Sequence, residues 1–234
     1  MKEALKPILT EAGLVLEDGI YEKIEHFNAL LNKVNEFTDL TSIPQEDMPI
    51  KHYADSLLIL LNKNLFKSGF DIIDVGTGAG FPGMPLAIAR GDINFVLLDA
   101  LKKRCDFLNL VKTELDIKNI QVVHARVEDA AQGEFREIFD LSLSRAVAPM
   151  NVLLEYMLPF VKLGGSSLCW KGPQLEWEIQ EAENAVHILG GEFKQTIKLP
   201  IENSTHLVQV VEKIKSTPPK YPRRAGIPSK RPLR

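Results

Sequence analysis

The residues best suited to chemistry lie in one short run, Asp74-Val75-Gly76-Thr77-Gly78-Ala79-Gly80-Phe81-Pro82-Gly83. It follows an apolar stretch and opens a helix-length one. Glycines at such a junction let the backbone turn sharply and approach a ligand closely. Another acid, Asp99, ends the next apolar run, 23 residues beyond Gly76. A carboxylate there can bind both hydroxyls of a ribose, so the pair points to an adenosine ligand at the carboxyl ends of the strands. Arg145 and Lys171 each close a later apolar run, which puts them at the same edge. A buried arginine needs a ligand or an acid partner, and Lys171 suits either a phosphate or solvent. His52, with Asp55 and Ser56, precedes a helical stretch and either reaches this edge or is structural.

The kind of adenosine is set by the surroundings of the glycines. Gly78, Gly80 and Gly83 satisfy the spacing GxGxxG of dinucleotide sites, a weak match by itself. Here, however, the first glycine, Gly76, directly follows the strand, with a carboxylate two residues before it. A dinucleotide carries a pyrophosphate that wants a free helix N-terminus. S-adenosylmethionine has no phosphate, and its positive sulfonium tolerates a carboxylate such as Asp74. The run therefore favours S-adenosylmethionine and the class I methyltransferase pattern.

The elements that must hold these residues alternate between two periods. Strands are expected at Ile72–Val75, Phe95–Leu98, Ile120–Val123, Asp140–Leu143 and Ser166–Trp170, with helices between them such as Leu101–Leu115 and Asn151–Phe160. That alternation predicts βαβ units and a mostly parallel sheet covered on both faces. The last two runs, Phe193–Leu199 and His206–Ile214, are joined by Pro200–Thr205, too short for a crossover helix, so they should pair antiparallel. Dinucleotide sheets end parallel, so this ending also favours a methyltransferase. Before residue 70 no strand is evident. Ile20, Ile24, Phe27, Leu30, Leu31 and Val34 recur at helical spacing, with Asp18 as a cap, and a second helix runs through His52 to Leu61. The expected parts are an N-terminal helical extension (residues 1–65), an α/β, Rossmann-like methyltransferase domain with a terminal antiparallel strand (66–215) and a basic, proline-rich C-terminal tail (216–234).

Composition narrows the class. The 234 residues are 45% hydrophobic, enough for a core, and no apolar run approaches the ~18 residues of a membrane span. The N-terminus carries acids and does not read as a secretory signal. Cys105 and Cys169 have no CxxC spacing and sit in apolar runs, as buried thiols of a reducing cytoplasm do. The net charge of −3 conceals eight basic residues from Lys213 onward with no acid among them. A basic tail on an acidic body is either a nucleic-acid footprint or a solvated end.

Several segments together go beyond the class. Asp74–Gly83, Asp99-Ala100-Leu101-Lys102-Lys103-Arg104, Arg126-Val127-Glu128-Asp129, Ser144-Arg145-Ala146-Val147-Ala148, Asp39-Leu40-Thr41-Ser42-Ile43, His52-Tyr53-Ala54-Asp55-Ser56 and Lys171-Gly172-Pro173 resemble the RsmG (GidB) family, over nearly the whole chain and in order. The resemblance implies a class I fold with an N-terminal helical extension and methylation of N7 of a guanine in 16S rRNA, in the loop near the decoding centre. It implies Gly76, Gly78 and Phe81 at the cofactor, Asp99 on the ribose, Val127 and Glu128 beside the adenine, and Arg145 beside cofactor or substrate. Val127 stands where a small residue is common in the family, a departure that a backbone contact survives. With Lys171 and His52, Arg145 makes up the candidate catalytic group. The partner would be 16S rRNA or the small subunit, free or during assembly, with no membrane and no obligate protein partner evident.

Guanine N7 is a lone-pair nucleophile that needs no deprotonation, so proximity and orientation suffice. This agrees with a sequence that offers no Ser/His/Asp or Cys/His set. The DPPY-like sequence used on exocyclic amines is absent after the fourth strand. A 5-methylcytosine enzyme needs a nucleophilic cysteine, and neither Cys105 nor Cys169 is placed for it. Two other readings remain from sequence: a methyltransferase for a small molecule or protein, and a nucleotide-binding oxidoreductase or non-catalytic RNA-binding module.

Overall fold

The computed structural model describes residues 1–201 and 205–233. Part of the expected Pro200–Thr205 connection and the terminal Arg234 lie outside the described residues. In chain order the strands are β1 (Asp71–Val75), β2 (Asn94–Asp99), β3 (Ile120–His124), β4 (Phe139–Arg145), β5 (Val161–Lys171), β6 (Gly191–Lys198) and β7 (Leu207–Lys213). The helices are α1 (Lys2–Glu11), α2 (Asp18–Asn35), α3 (Asp55–Leu57), α4 (Gly83–Ala89), α5 (Lys102–Glu114), α6 (Val127–Ala130), α7 (Met150–Met157), α8 (Leu175–Glu181), α9 (Glu183–Ile188) and α10 (Ile227–Lys230).

One sheet of seven strands has the order β3-β2-β1-β4-β5-β7-β6. The first five strands are mutually parallel, and β7 runs antiparallel to both β5 and β6. β7 is last in the chain but lies inside the sheet, between β5 and β6. The alternation of side chains along each strand feeds two cores. Ile72, Leu97, Leu141, Leu168 and Val208 face one side, with α4, α5 and the N-terminal helices. Ile73, Val75, Leu98, Cys169 and Val211 face the other, with α7, α8 and α9. The N-terminal extension therefore shares its core with the sheet: Leu5, Ile24, Phe27 and Tyr53 are fully buried in it.

Two local expectations change. Asp18 is not the cap of α2. Glu17 holds that position, and Asp18 opens the helix, paired with Lys6 at 2.9 Å and Lys2 at 3.4 Å. A carboxylate in a first turn is favoured there by the helix dipole without being the cap. The second helix is not uniform: a π-helical turn, Pro49–Ala54, leads into α3 and then a 3-10 turn, Leu58–Leu61. Both cysteines are free and buried. Burial pushes the Cys169 thiol up to about 12 and raises that of Cys105, so neither is a thiolate nucleophile.

Candidate active site

β1, β2 and β3 lie on one side of β1's other neighbour, β4, so strand order reverses between β1 and β4. Ligands of open α/β sheets bind outside the carboxyl ends of the strands at such a point. Gly76, Gly78 and Gly80 take φ of 69°, 60° and 103°, the left-handed region that other residues resist. A Cβ on Gly76 would meet Val147 Cγ2 at 2.7 Å, and one on Gly83 would meet Asp74 Oδ2 at 2.7 Å. A Cβ on Gly78 would meet none of the described residues within 4 Å.

Asp74 does not face that open space. Its Oδ2 accepts hydrogen bonds from Thr77 Oγ1 at 2.7 Å and the Gly83 amide at 2.8 Å, which ties both ends of the loop under the turn. Among the described residues Oδ1 has no hydrogen-bond partner, and complete burial raises the carboxyl to about 6. Asp99 is the acid at the open side. It is buried, and its carboxylate accepts from the Gly78 amide at 2.9 Å, the Leu101 amide at 2.9 Å and Arg104 at 3.3 Å. Arg104 keeps a buried Nε without a hydrogen-bond partner among the described residues. An open cradle over Gly78, a carboxylate beside it and an unpartnered guanidinium nitrogen are groups that S-adenosylmethionine could use, so the site fits that cofactor.

The opposite wall is a network of side chains. Arg145 ends β4, followed by Ala146 at a left-handed φ of 58°. Its guanidinium donates to the Lys51 carbonyl at 2.9 Å, Asp55 Oδ2 at 2.7 Å and His52 Nδ1 at 2.7 Å. Because His52 Nδ1 accepts, Nε2 carries the proton and donates to Thr41 Oγ1 at 2.8 Å. Burial, aided by Arg145, lowers His52 to about 3, so the ring is neutral. The ring stacks on Phe81 at 4.1 Å and 5°, and Arg145 lies 5.4 Å over the same ring. Phe81 is only 4% exposed, and its ring supports His52 and Arg145.

Asp55 is fully buried, and its Oδ1 bonds His206 Nδ1 at 2.9 Å. That bond raises the His206 pKa. His206 was missed as a site residue; it lies 151 residues from Asp55, and no local pattern marks such a pair. Lys171 is neither solvated nor unpaired. Its ammonium donates to the Ala148 carbonyl at 2.7 Å and Glu178 at 2.6 Å. Thr41, His52, Arg104, Arg145, Lys171 and His206 all line one cavity of about 1010 Å³.

Val127 and Glu128 begin α6, just past β3. Val127 is half-buried. Glu128 is buried, and its Oε1 accepts from the Gly226 amide at 2.9 Å. The sequence brings Gly76, Gly78, Asp99 and Arg145 to one edge, as expected, with Val127 and Glu128 at the end of β3.

The sheet order, the glycine turn and the acid after β2 define a class I S-adenosylmethionine-dependent methyltransferase. Residues 20–208 match the family model GidB, rRNA small subunit methyltransferase G. A relative from Alkaliphilus metalliredigens (strain QYMF), a ribosomal RNA small subunit methyltransferase G, is 44% identical over 100% of this chain and 99% of its own. The chain belongs to the rRNA small subunit methyltransferase G family. The fold is shared with a TehB-like SAM-dependent methyltransferase from Corynebacterium glutamicum, at a TM-score of 0.53 and 17% identity, over 82% of this chain and 98% of that one. It is also shared with M. jannaschii TYW2 in complex with AdoMet, at a TM-score of 0.52 and 16% identity, over 67% and 76%. Among the described residues no helix is long and apolar enough to cross a membrane, and no cluster of His, Cys, Asp or Glu suits a metal ion.

Proposed function

We propose that this chain methylates N7 of a guanine in 16S rRNA, in the loop near the decoding centre, acting in the cytoplasm on the small subunit or its RNA. The observation that carries the reading is the family match over residues 20–208, and His52 agrees with it, while the other histidine of the cavity, His206, is held by Asp55. His52 is the histidine in contact with Arg145 in the cavity, it is neutral, and both ring nitrogens are engaged. A group so placed cannot take a proton from the substrate. Guanine N7 needs no such base.

When bound, S-adenosylmethionine supplies a methyl group on a sulfonium whose sulfur keeps the electron pair. The chain's own part is to hold and orient. Gly76 and Gly78 leave room for the methionine portion, Asp99 takes the ribose hydroxyls, and Val127 and Glu128 border the adenine. Arg145 is a fixed cation, and an arginine edge suits the O6 acceptor next to N7. His52, Asp55 and Thr41 position it. Lys171, already paired with Glu178, holds the turn at Ala148 and Met150 in place: Glu178 also accepts from the Met150 amide at 2.8 Å. Of the basic C-terminal residues, Lys215, Lys220, Arg224, Lys230 and Arg231 are exposed and suit RNA phosphates. Lys213 and Arg223 are committed to Glu137 and Glu155.

Mass spectrometry of 16S rRNA nucleosides from cells with and without this protein tests the proposal. Loss of one 7-methylguanosine is expected. Loss of a different methylated nucleoside would overturn it.

A further inference from the structure

The segment 216–233 is not a loose end. Three polar side chains four residues apart, all just past β3, reach its backbone. Glu128 accepts from the Gly226 amide at 2.9 Å. Gln132 donates to the Pro222 carbonyl at 3.0 Å, and Arg136 to the carbonyls of Thr217 and Tyr221 at 2.7 and 2.9 Å. Between these anchors Arg223 clamps Glu155, a fully buried carboxylate on α7, through Nε at 2.9 Å and its second guanidinium nitrogen at 2.6 Å. The Arg223 amide adds a third bond to the same group at 2.8 Å. Tyr221 is buried in the core beneath, and Ser229 meets Tyr156 at 2.9 Å. Gly226, at φ 80°, makes the turn that aims its amide at Glu128.

We propose that this C-terminal strap is a positioning element of the cofactor site, setting the adenine border through Gly226 and Glu128. The inference rests on the reading of Val127 and Glu128 as that border. A carboxylate as buried as Glu128 must be hydrogen-bonded. Among the described residues its hydrogen-bond donor is the Gly226 amide, which occupies Oε1; Arg126 Nε pairs with Oε2 as an ion at 3.7 Å, beyond hydrogen-bond distance. Oε2 is thereby left as an acceptor, and adenine carries an amino donor. Gln132 and Arg136 hold the same segment to the same strap, so moving the strap moves the whole border. The buried Arg223–Glu155 clamp, 68 residues apart in sequence, fixes where the Gly226 turn falls.

The test is equilibrium binding to the full chain of S-adenosylhomocysteine and of its inosine counterpart, which lacks the amino donor, with thermal melting alongside. The variants are Gly226→Ala, for which there is room within 4 Å but an unfavourable backbone, and the double change Arg223→Met/Glu155→Met, which removes the clamp without leaving a buried charge. Glu128→Gln is the control. The unaltered chain should prefer the adenine ligand by about ten- to a hundredfold, the worth of one hydrogen bond to a charged group. Both strap variants should lose most of that preference, with binding of the inosine ligand nearly unchanged. Strap variants that melt cooperatively yet keep the full preference would overturn the proposal, because the strap would then be structural only. If Glu128→Gln keeps the preference while the strap variants lose it, the part of the proposal that runs through the Glu128 carboxylate is overturned. Failure of the unaltered chain to bind S-adenosylhomocysteine would overturn the cofactor reading, and the strap's role with it.

Discussion

The two walls of the active edge are made of different material. The proposed cofactor wall is main chain: three glycines at positive φ, with Asp74 bracing the loop from below and Asp99 holding it from the side. The proposed substrate wall is side chain: Thr41, His52, Asp55, Arg145 and His206 form one chain of hydrogen bonds drawn from distant stretches. A backbone wall resists any added atom. A network wall accepts changes of shape but not the removal of one charge from a buried pair.

The difference should be widest at Arg145. Arg145→Ala leaves Asp55, with a side chain 1% exposed, without its cationic partner, at a cost of about 3–5 kcal/mol in unfolding free energy. In whatever remains folded, single-turnover methyl transfer should fall far more than affinity for S-adenosylhomocysteine. Equal losses in rate and affinity would erase the distinction between the walls.

The glycines test the other side. Gly76→Val should abolish cofactor binding and also destabilise the chain, because its Cβ would lie 2.7 Å from Val147 Cγ2. A Cβ on Gly78 meets none of the described residues within 4 Å, so the loss in Gly78→Val should fall more on ligand affinity than on melting temperature, apart from backbone strain. Unchanged binding in folded variants would remove the loop from the site. Asp99→Ala should weaken S-adenosylhomocysteine binding by about 1.5–3 kcal/mol, the range for hydrogen bonds to a charged group. A response of NAD binding alone would favour a dehydrogenase.

His52 sharpens the comparison through pH. Its folded pKa of about 3 lies below the ordinary value of 6.5. Its contribution to stability is therefore present above pH 6.5 and lost as pH falls toward 3. Between pH 7 and 5 the unaltered chain should lose about 2 kcal/mol more than His52→Gln, measured by urea unfolding. An equal loss would mean that the ring protonates freely. The smallest effect belongs to the exposed cations. Neutralising Lys220, Arg224 and Lys230 should flatten the salt dependence of RNA binding while cofactor affinity stays constant. An unaltered slope would mean that these charges are only solvated.

What could be read from the sequence follows the same division. The glycine turn and the acid after β2 are local and dictated by backbone geometry, so residue type and spacing reveal them. The parallel strands show as short apolar runs because both faces of the sheet are covered. Arg145 could be placed at the edge by counting strands, but its partners could not. Asp55 joins His206 across 151 residues, and such pairs leave no periodic trace. Asp74 reads as an acid near a cation, whereas the fold turns it beneath the loop. The C-terminal residues read as a nucleic-acid footprint or a solvated end, and not as a packed strap, because proline and charge dominate them. Their anchors, Glu128, Gln132, Arg136 and Glu155, lie far back in the chain, where nothing local announces a partner.

The central claim is that methyl transfer here proceeds without a general base. The direct measurement is the single-turnover rate at saturating RNA and S-adenosylmethionine between about pH 6.5 and 8.5. A nearly flat profile is predicted, with His52→Gln lowering the rate without giving it a slope. A rate rising tenfold per pH unit, and collapsing in His52→Gln, would contradict the account and point to an exocyclic amine or a ribose hydroxyl as the acceptor.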